Sequence, residues 1–147
     1  MLWLIPLLIL ILLCLRLFRV KGSSMQPTLK TGDWVLAWAF FVPRRHQVVI
    51  VKHGGKLYIK RLIGLPGDHI EVDQDYVYLN HRPLVTPYTD HFSRRKGQWT
   101  LGKDQYFVIG DNRRSSVDSR SFGPVDRHQL LARLICQLPI QSRHKGG

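Results

Sequence analysis

The sequence predicts a mostly β domain, antiparallel in its pairing, preceded by one apolar N-terminal transmembrane helix. Three observations carry this. Beyond residue 20, short runs rich in Val, Ile, Tyr, Phe and Trp alternate with Gly-Gly, Pro-Gly and Asp-Gln-Asp punctuation. No long stretch there repeats its apolar residues at the helical period. Before residue 20, Leu2 to Leu15 is an unbroken apolar run of 14 residues. The expected organisation is a membrane anchor within residues 1–19 and one domain over 20–147, long enough for a real core and too short for two domains of ordinary size.

Leu17 and Phe18 extend the apolar run past Arg16, whose side chain is long enough to snorkel to an interface. The run is short for a span and has the length of a secretory signal's hydrophobic region, so length alone leaves anchor and cleavable signal even. No basic residue precedes it, and no small-x-small cleavage site follows it before Gly22. Both absences favour an anchor. Arg16, Arg19 and Lys21 then lie on the domain side, which the positive-inside rule assigns to the cytoplasm.

Trp34 to Val42 is apolar and aromatic, and Gln47 to Lys52 is β-branched. Gly54-Gly55 turns this run into Lys56 to Ile63, a hairpin with a primed turn. Leu65-Pro-Gly-Asp68 is a second turn, after which His69 to Val72 and Tyr76 to Leu79 alternate about Asp73-Gln-Asp75 as another hairpin. Residues 81–104 read as a polar, flexible excursion containing the basic cluster Arg94-Arg95-Lys96. Gln105 to Ile109 is a strand, and Gln129 to Leu138 is an apolar closing segment whose period fits strand or helix equally.

The formal net charge is +12, from 22 basic and 10 acidic residues, which favours anionic surfaces such as phospholipid headgroups or nucleic acid. The aromatics are not interleaved with the basic residues in any nucleic-acid module, so no nucleic acid partner is expected. Cys14 and Cys136 are the only cysteines, and with Cys14 inside the apolar run no disulfide is expected between them. The seven histidines are scattered without zinc-site spacing, so neither metal nor cofactor is expected.

Gly22-Ser-Ser-Met-Gln-Pro-Thr28, then Lys60 in Tyr58-Ile-Lys-Arg-Leu-Ile63, then Gly110-Asp-Asn-Arg113 offer a serine, a lysine and a polar support loop. A serine hydroxyl needs a base to become a nucleophile. A lysine serves only if burial or cationic neighbours bring its pKa from about 10.4 to roughly 7–8. Ile59 and Leu62 can desolvate Lys60, and Arg61 can disfavour its protonation. That pairing is hydrolase chemistry.

Three blocks, Ser24 to Asp33, Tyr58 to Asp68 and Gly110 to Val125, stand in the order found in the type I signal peptidases, and the chain resembles that family of membrane-anchored serine/lysine proteases. In size and in Asp118-Ser-Arg-Ser-Phe-Gly-Pro-Val125 it resembles the small bacterial members and the mitochondrial inner-membrane peptidases more than the larger bacterial ones. The resemblance implies an antiparallel β catalytic domain, with the β domain that larger members insert between Asp68 and Gly110 largely absent. It implies Ser24 as nucleophile, with its own backbone N–H on the oxyanion, and Lys60 as general base. Ser116 would orient the lysine amine, Asp111 would pair with Arg61, and Asp118 with Arg120 would form a neighbouring support. Met25, Leu29, Tyr58 and Ile59 match positions at the pockets for small substrate residues.

The implied substrates are preproteins with small residues before the cut, alongside contact with membrane phospholipid and with protein translocation machinery. The implied location is the bacterial inner membrane, single-pass with the catalytic domain on the non-cytoplasmic face, or else the mitochondrial inner membrane. The chain departs from the family pattern at Gly22, where some members carry a hydroxyl, at Arg45-His-Gln47 in place of Arg-Gly-Asp, and at Arg114 in place of a commonly acidic residue. Two rival readings are a maturation protease dedicated to a narrow substrate and a catalytically dead, basic, membrane-tethered binding module.

Overall fold

The computed structural model describes residues 2–74, 76–86 and 95–138. The apolar run divides in two. Leu4–Cys14 forms helix α1, with the side chains before Cys14 exposed on all sides, and Leu15–Arg19 forms strand β1. Eleven residues at 1.5 Å each make α1 about 16 Å long, and among the described residues no helix is long and apolar enough to cross a membrane. The single helix expected through Phe18 is not formed, because Leu15–Arg19 pairs residue for residue with Trp34–Trp38, strand β2. Arg16 is accordingly a strand residue opposite Ala37, and the Arg19 guanidinium lies over the Trp34 ring at 5.9 Å.

Strands β3 (Val48–His53) and β4 (Lys56–Gly64) are joined through Gly54 and Gly55, whose φ of 55° and 76° supply the two positive angles of the predicted primed turn. Strand β5 (His69–Val72) pairs with β6 (Val77–Leu79), as the alternation predicts. The segment read as a flexible excursion contributes β7 (Arg82–Pro83) and β8 (Gly97–Thr100), and its residues 87–94 lie outside the described ones. Strand β9 (Gln105–Ile109) leads through the third block and helix α2 (Ser119–Phe122) to β10 (Val125–Asp126). The closing segment is strand β11 (Leu130–Leu138), seated between β2 and β3, where both of its edges find partners. Trp34 to Val42 keeps β structure only through Trp38.

The strands form a seven-stranded sheet, β1-β2-β11-β3-β4-β9-β10, and a four-stranded sheet, β7-β6-β5-β8. All described pairings are antiparallel. The small sheet occupies the stretch between Asp68 and Gly110, and Ile70, Val72 and Val77 from it pack with Ile63, Phe107 and Ile109 of the large sheet. A separate cluster of Val20, Met25, Leu29 and Val35 fixes the loop that follows β1.

Candidate active site

Side chains alternate across a strand, so Lys60 and Arg61 of β4 project to opposite sides. Lys60 Nζ lies 2.6 Å from Ser24 Oγ, and the lysine is 2 % exposed. Burial pulls its pKa down from 10.5 to about 8, with the Arg120 guanidinium helping and the Asp118 and Asp111 carboxylates opposing. Arg61, expected to supply the cationic push, is instead committed elsewhere. Its Nε and Nη2 donate to the two Asp111 oxygens at 2.8 and 2.7 Å, and its Nη1 donates to the His46 carbonyl at 2.8 Å.

The loop carrying Ser24 is held from the third block. Asn112 N–H donates to the Ser24 carbonyl at 2.9 Å, Asn112 Nδ2 donates to the Ser23 carbonyl at 3.1 Å, and Thr28 Oγ1 donates to Asp111 Oδ2 at 2.6 Å. Ser23 Oγ, one residue out of register, stands 3.3 Å from Ser115 Oγ. At Gly110 a Cβ would fall onto the Ser116 side chain and 2.6 Å from the Ser24 carbonyl oxygen, so the approach of these two serines depends on a glycine there.

Asp118 is the hub of the support. It accepts from Gly110 N–H at 3.0 Å, from Ser116 Oγ at 2.7 Å, and from Arg120 through its backbone and side chain at 2.9 to 3.1 Å. Despite its burial these donors hold the carboxyl below the usual carboxylate range. Ser116, expected to bond the lysine amine, instead donates its hydroxyl to Asp118. His46, where the family resemblance leads to an expected glycine, has a φ of 71°, an angle that glycine adopts without cost.

Ser24 and Lys60 open onto a cavity of about 620 Å³ lined by Phe18 to Lys21, Met25, Ile50 and Lys56 to Ile59. Of the four residues expected at the substrate pockets, Met25, Tyr58 and Ile59 line it. Leu29 does not; it is 1 % exposed in the cluster under the loop. Phe18 to Lys21 line it too, although their sequence marks them only as the end of the apolar run and its basic flank, and the β1–β2 pairing is what brings them to the groove.

The family model described as "Signal peptidase, peptidase S26" matches residues 1–138. The chain belongs to the signal peptidase family. It is 38 % identical over 120 residues to signal peptidase I U of Bacillus subtilis, an alignment covering 71 % of this chain and 64 % of that relative. It is 32 % identical over 141 residues to signal peptidase IB of Staphylococcus aureus, covering 80 % of this chain and 74 % of the relative. This signal peptidase family member also superposes on the crystal structure of a signal peptidase I from Enterococcus faecalis with a TM-score of 0.56 and 28 % identity, over 65 % of this chain and 98 % of that one.

Proposed function

We propose that this chain is a serine endopeptidase that removes N-terminal signal peptides from translocated preproteins, with Ser24 as nucleophile and Lys60 as general base. The observation that carries the reading is the buried Lys60 amine 2.6 Å from Ser24 Oγ. With a pKa of about 8, a useful fraction of the amine is neutral near neutral pH and takes the Ser24 proton as Oγ attacks the scissile carbonyl. The backbone N–H of Ser24 faces the developing oxyanion. The Lys60 ammonium then returns the proton to the leaving amine, and the acyl-enzyme forms. Water, deprotonated by the same amine, attacks the ester and releases the product.

The groove accounts for an extended substrate. Strand β4 pairs with β9 only from Arg61 onward, so among the described residues the edge of Lys56–Lys60 opposite β3 carries no strand. A peptide adding to that edge reaches Ser24 as an antiparallel or parallel strand, with alternate side chains over Met25 and Ile59. Asp111, Arg61, Asp118, Arg120 and Ser116 act by positioning the loop and the lysine. No cofactor enters this chemistry.

Attachment to a bacterial inner membrane, or to its mitochondrial counterpart, belongs to the same proposal. Helix α1 is apolar on every side, and it shares its base with the exposed Phe40 and Val42, since Ala39 N–H donates to the Cys14 carbonyl at 2.9 Å. This surface inserts in the bilayer and holds the groove at the interface, the catalytic domain facing the non-cytoplasmic side where phospholipid and the translocation machinery present the substrate. The functional test is incubation of the detergent-solubilised protein with a set of preproteins, reading new N-termini by mass spectrometry. New N-termini after small residues are expected, and no cleavage at all would overturn the reading.

A further inference from the structure

His69, Glu71 and His81 meet on the small sheet, and none of them lines the Ser24 groove: one ligand atom of each lies within 4.8 Å of the others. Strand β5 buries Ile70 and Val72, so its alternation sends His69 and Glu71 to the outer face. His81 arrives from the turn between β6 and β7, which is tied down on β5. Asn80 N–H donates to the His69 carbonyl at 2.8 Å, His69 N–H donates to Asn80 Oδ1 at 2.8 Å, and Asn80 Nδ2 donates to Asp68 Oδ1 at 2.9 Å. Thr100 Oγ1, 3.1 Å from His69 Nδ1, fixes one imidazole, and the His69 and His81 rings stack with centroids 5.0 Å apart.

The backbone adds an independent observation. Asn80 and His81 have φ of 50° and 65°, the two positive angles of a primed hairpin turn whose preferred pair is Asn-Gly. A histidine at the second position keeps an unfavourable backbone angle and places an imidazole beside the two ligands of β5.

We infer that His69, Glu71 and His81 bind one zinc-class divalent cation, which ties the β6–β7 turn to β5. Two imidazoles and one carboxylate suit zinc and its borderline neighbours and are a poor set for magnesium or calcium. Ligands 2.0–2.1 Å from a tetrahedral ion stand about 3.3 Å apart, so binding closes the ligand atoms by about 1.5 Å from their present spacing of up to 4.8 Å and turns the exposed His81 ring out of its stack on His69 until both nitrogen lone pairs face the ion. His81 is exposed and His69 and Glu71 are half-buried, which leaves them that freedom, and a water completes the shell.

Calorimetric titration of the chelator-treated full chain with zinc chloride tests this. One equivalent of zinc should bind, with no uptake of magnesium, and His69→Ala or Glu71→Gln should weaken binding by at least about tenfold. His81→Gly is the sharpest variant, because glycine suits the turn: the metal-free melting temperature should hold or rise while the zinc-induced rise disappears. Cys136→Ser, which removes the exposed thiol, should bind as the parent does. Absence of zinc binding, its persistence in His81→Gly, or its loss in Cys136→Ser alone would each overturn the site.

Discussion

Lys60 Nζ and Ser24 Oγ are 2.6 Å apart across a separation of 36 residues, one from the middle of β4 and the other from the loop after β1. Ser24→Ala and Lys60→Ala are therefore each expected to lower preprotein cleavage by at least about a thousandfold. Lys60→Arg should be equally inactive, since a guanidinium stays protonated. Ser23→Ala should retain most activity, because its hydroxyl faces Ser115. Cleavage rates on one preprotein, with circular dichroism as the folding control, decide the point, and substantial activity in Lys60→Ala refutes the dyad.

The base must be neutral to act, so kcat/KM should rise with pH and level off above a pKa of about 8. Below that value it should fall about tenfold per unit. The stability of the fold follows the same group. A lysine pKa lowered from 10.5 to about 8 means that the unfolded chain binds more protons between those values, so stability rises with pH across that window. Lys60→Met should thus abolish cleavage yet raise the unfolding free energy at pH 7 by about 3 kcal/mol, read from denaturant unfolding. A chelator should leave the cleavage rate unchanged, even though the cation site on the small sheet makes the melting temperature sensitive to it.

Gly110→Ala places a methyl group against Ser116 and the Ser24 carbonyl. A loss of about 1–3 kcal/mol of stability is expected, together with a drop in kcat of at least about a hundredfold, as the loop carrying the nucleophile is pushed from the lysine. Unfolding midpoints and kcat measured on the same preparation separate the two effects. Wild-type kcat in this variant would show that the approach of the two loops is unimportant.

Asp111→Ala leaves the buried Arg61 guanidinium without its bidentate partner and Thr28 without its acceptor. Removing one partner of a buried pair costs about 3–5 kcal/mol, so this variant should be the least stable of the set. Denaturant unfolding checks it, and a change below about 1 kcal/mol would remove Asp111 from the support.

Deleting residues 2–14 removes only α1, whereas deleting 2–19 also removes β1, the edge strand paired along Trp34–Trp38. The first variant should stay folded, leave the membrane fraction in a high-salt wash, and cleave a short soluble peptide at near-parental rate while losing activity on membrane-embedded precursors. The second should lose stability as well. Release of the parent chain itself by salt would show that charge, not α1, holds it to lipid.

The succession of strands along the chain and the Gly54-Gly55 and Leu65–Asp68 turns were legible in the sequence, because turn chemistry and side-chain alternation are local properties, whereas Ser24 and Lys60 stood out only through the resemblance of three blocks to a family. Tertiary contacts decided the rest. Pairing with Trp34–Trp38 turned Leu15–Arg19 from the end of an apolar run into a strand, and pairing on both edges made a strand of β11, whose own pattern favoured neither form. Burial beneath the loop assigned Leu29 to the core, and the neighbourhood of Lys60 made Arg120, not Arg61, the cation that helps lower its pKa. His69, Glu71 and His81 have no zinc-ligand spacing along the chain, and only the hydrogen bonds that fasten the Asn80–His81 turn to β5 bring them together. A sequence sets what each segment can form; which partner satisfies its backbone and excludes its water is a property of the folded chain.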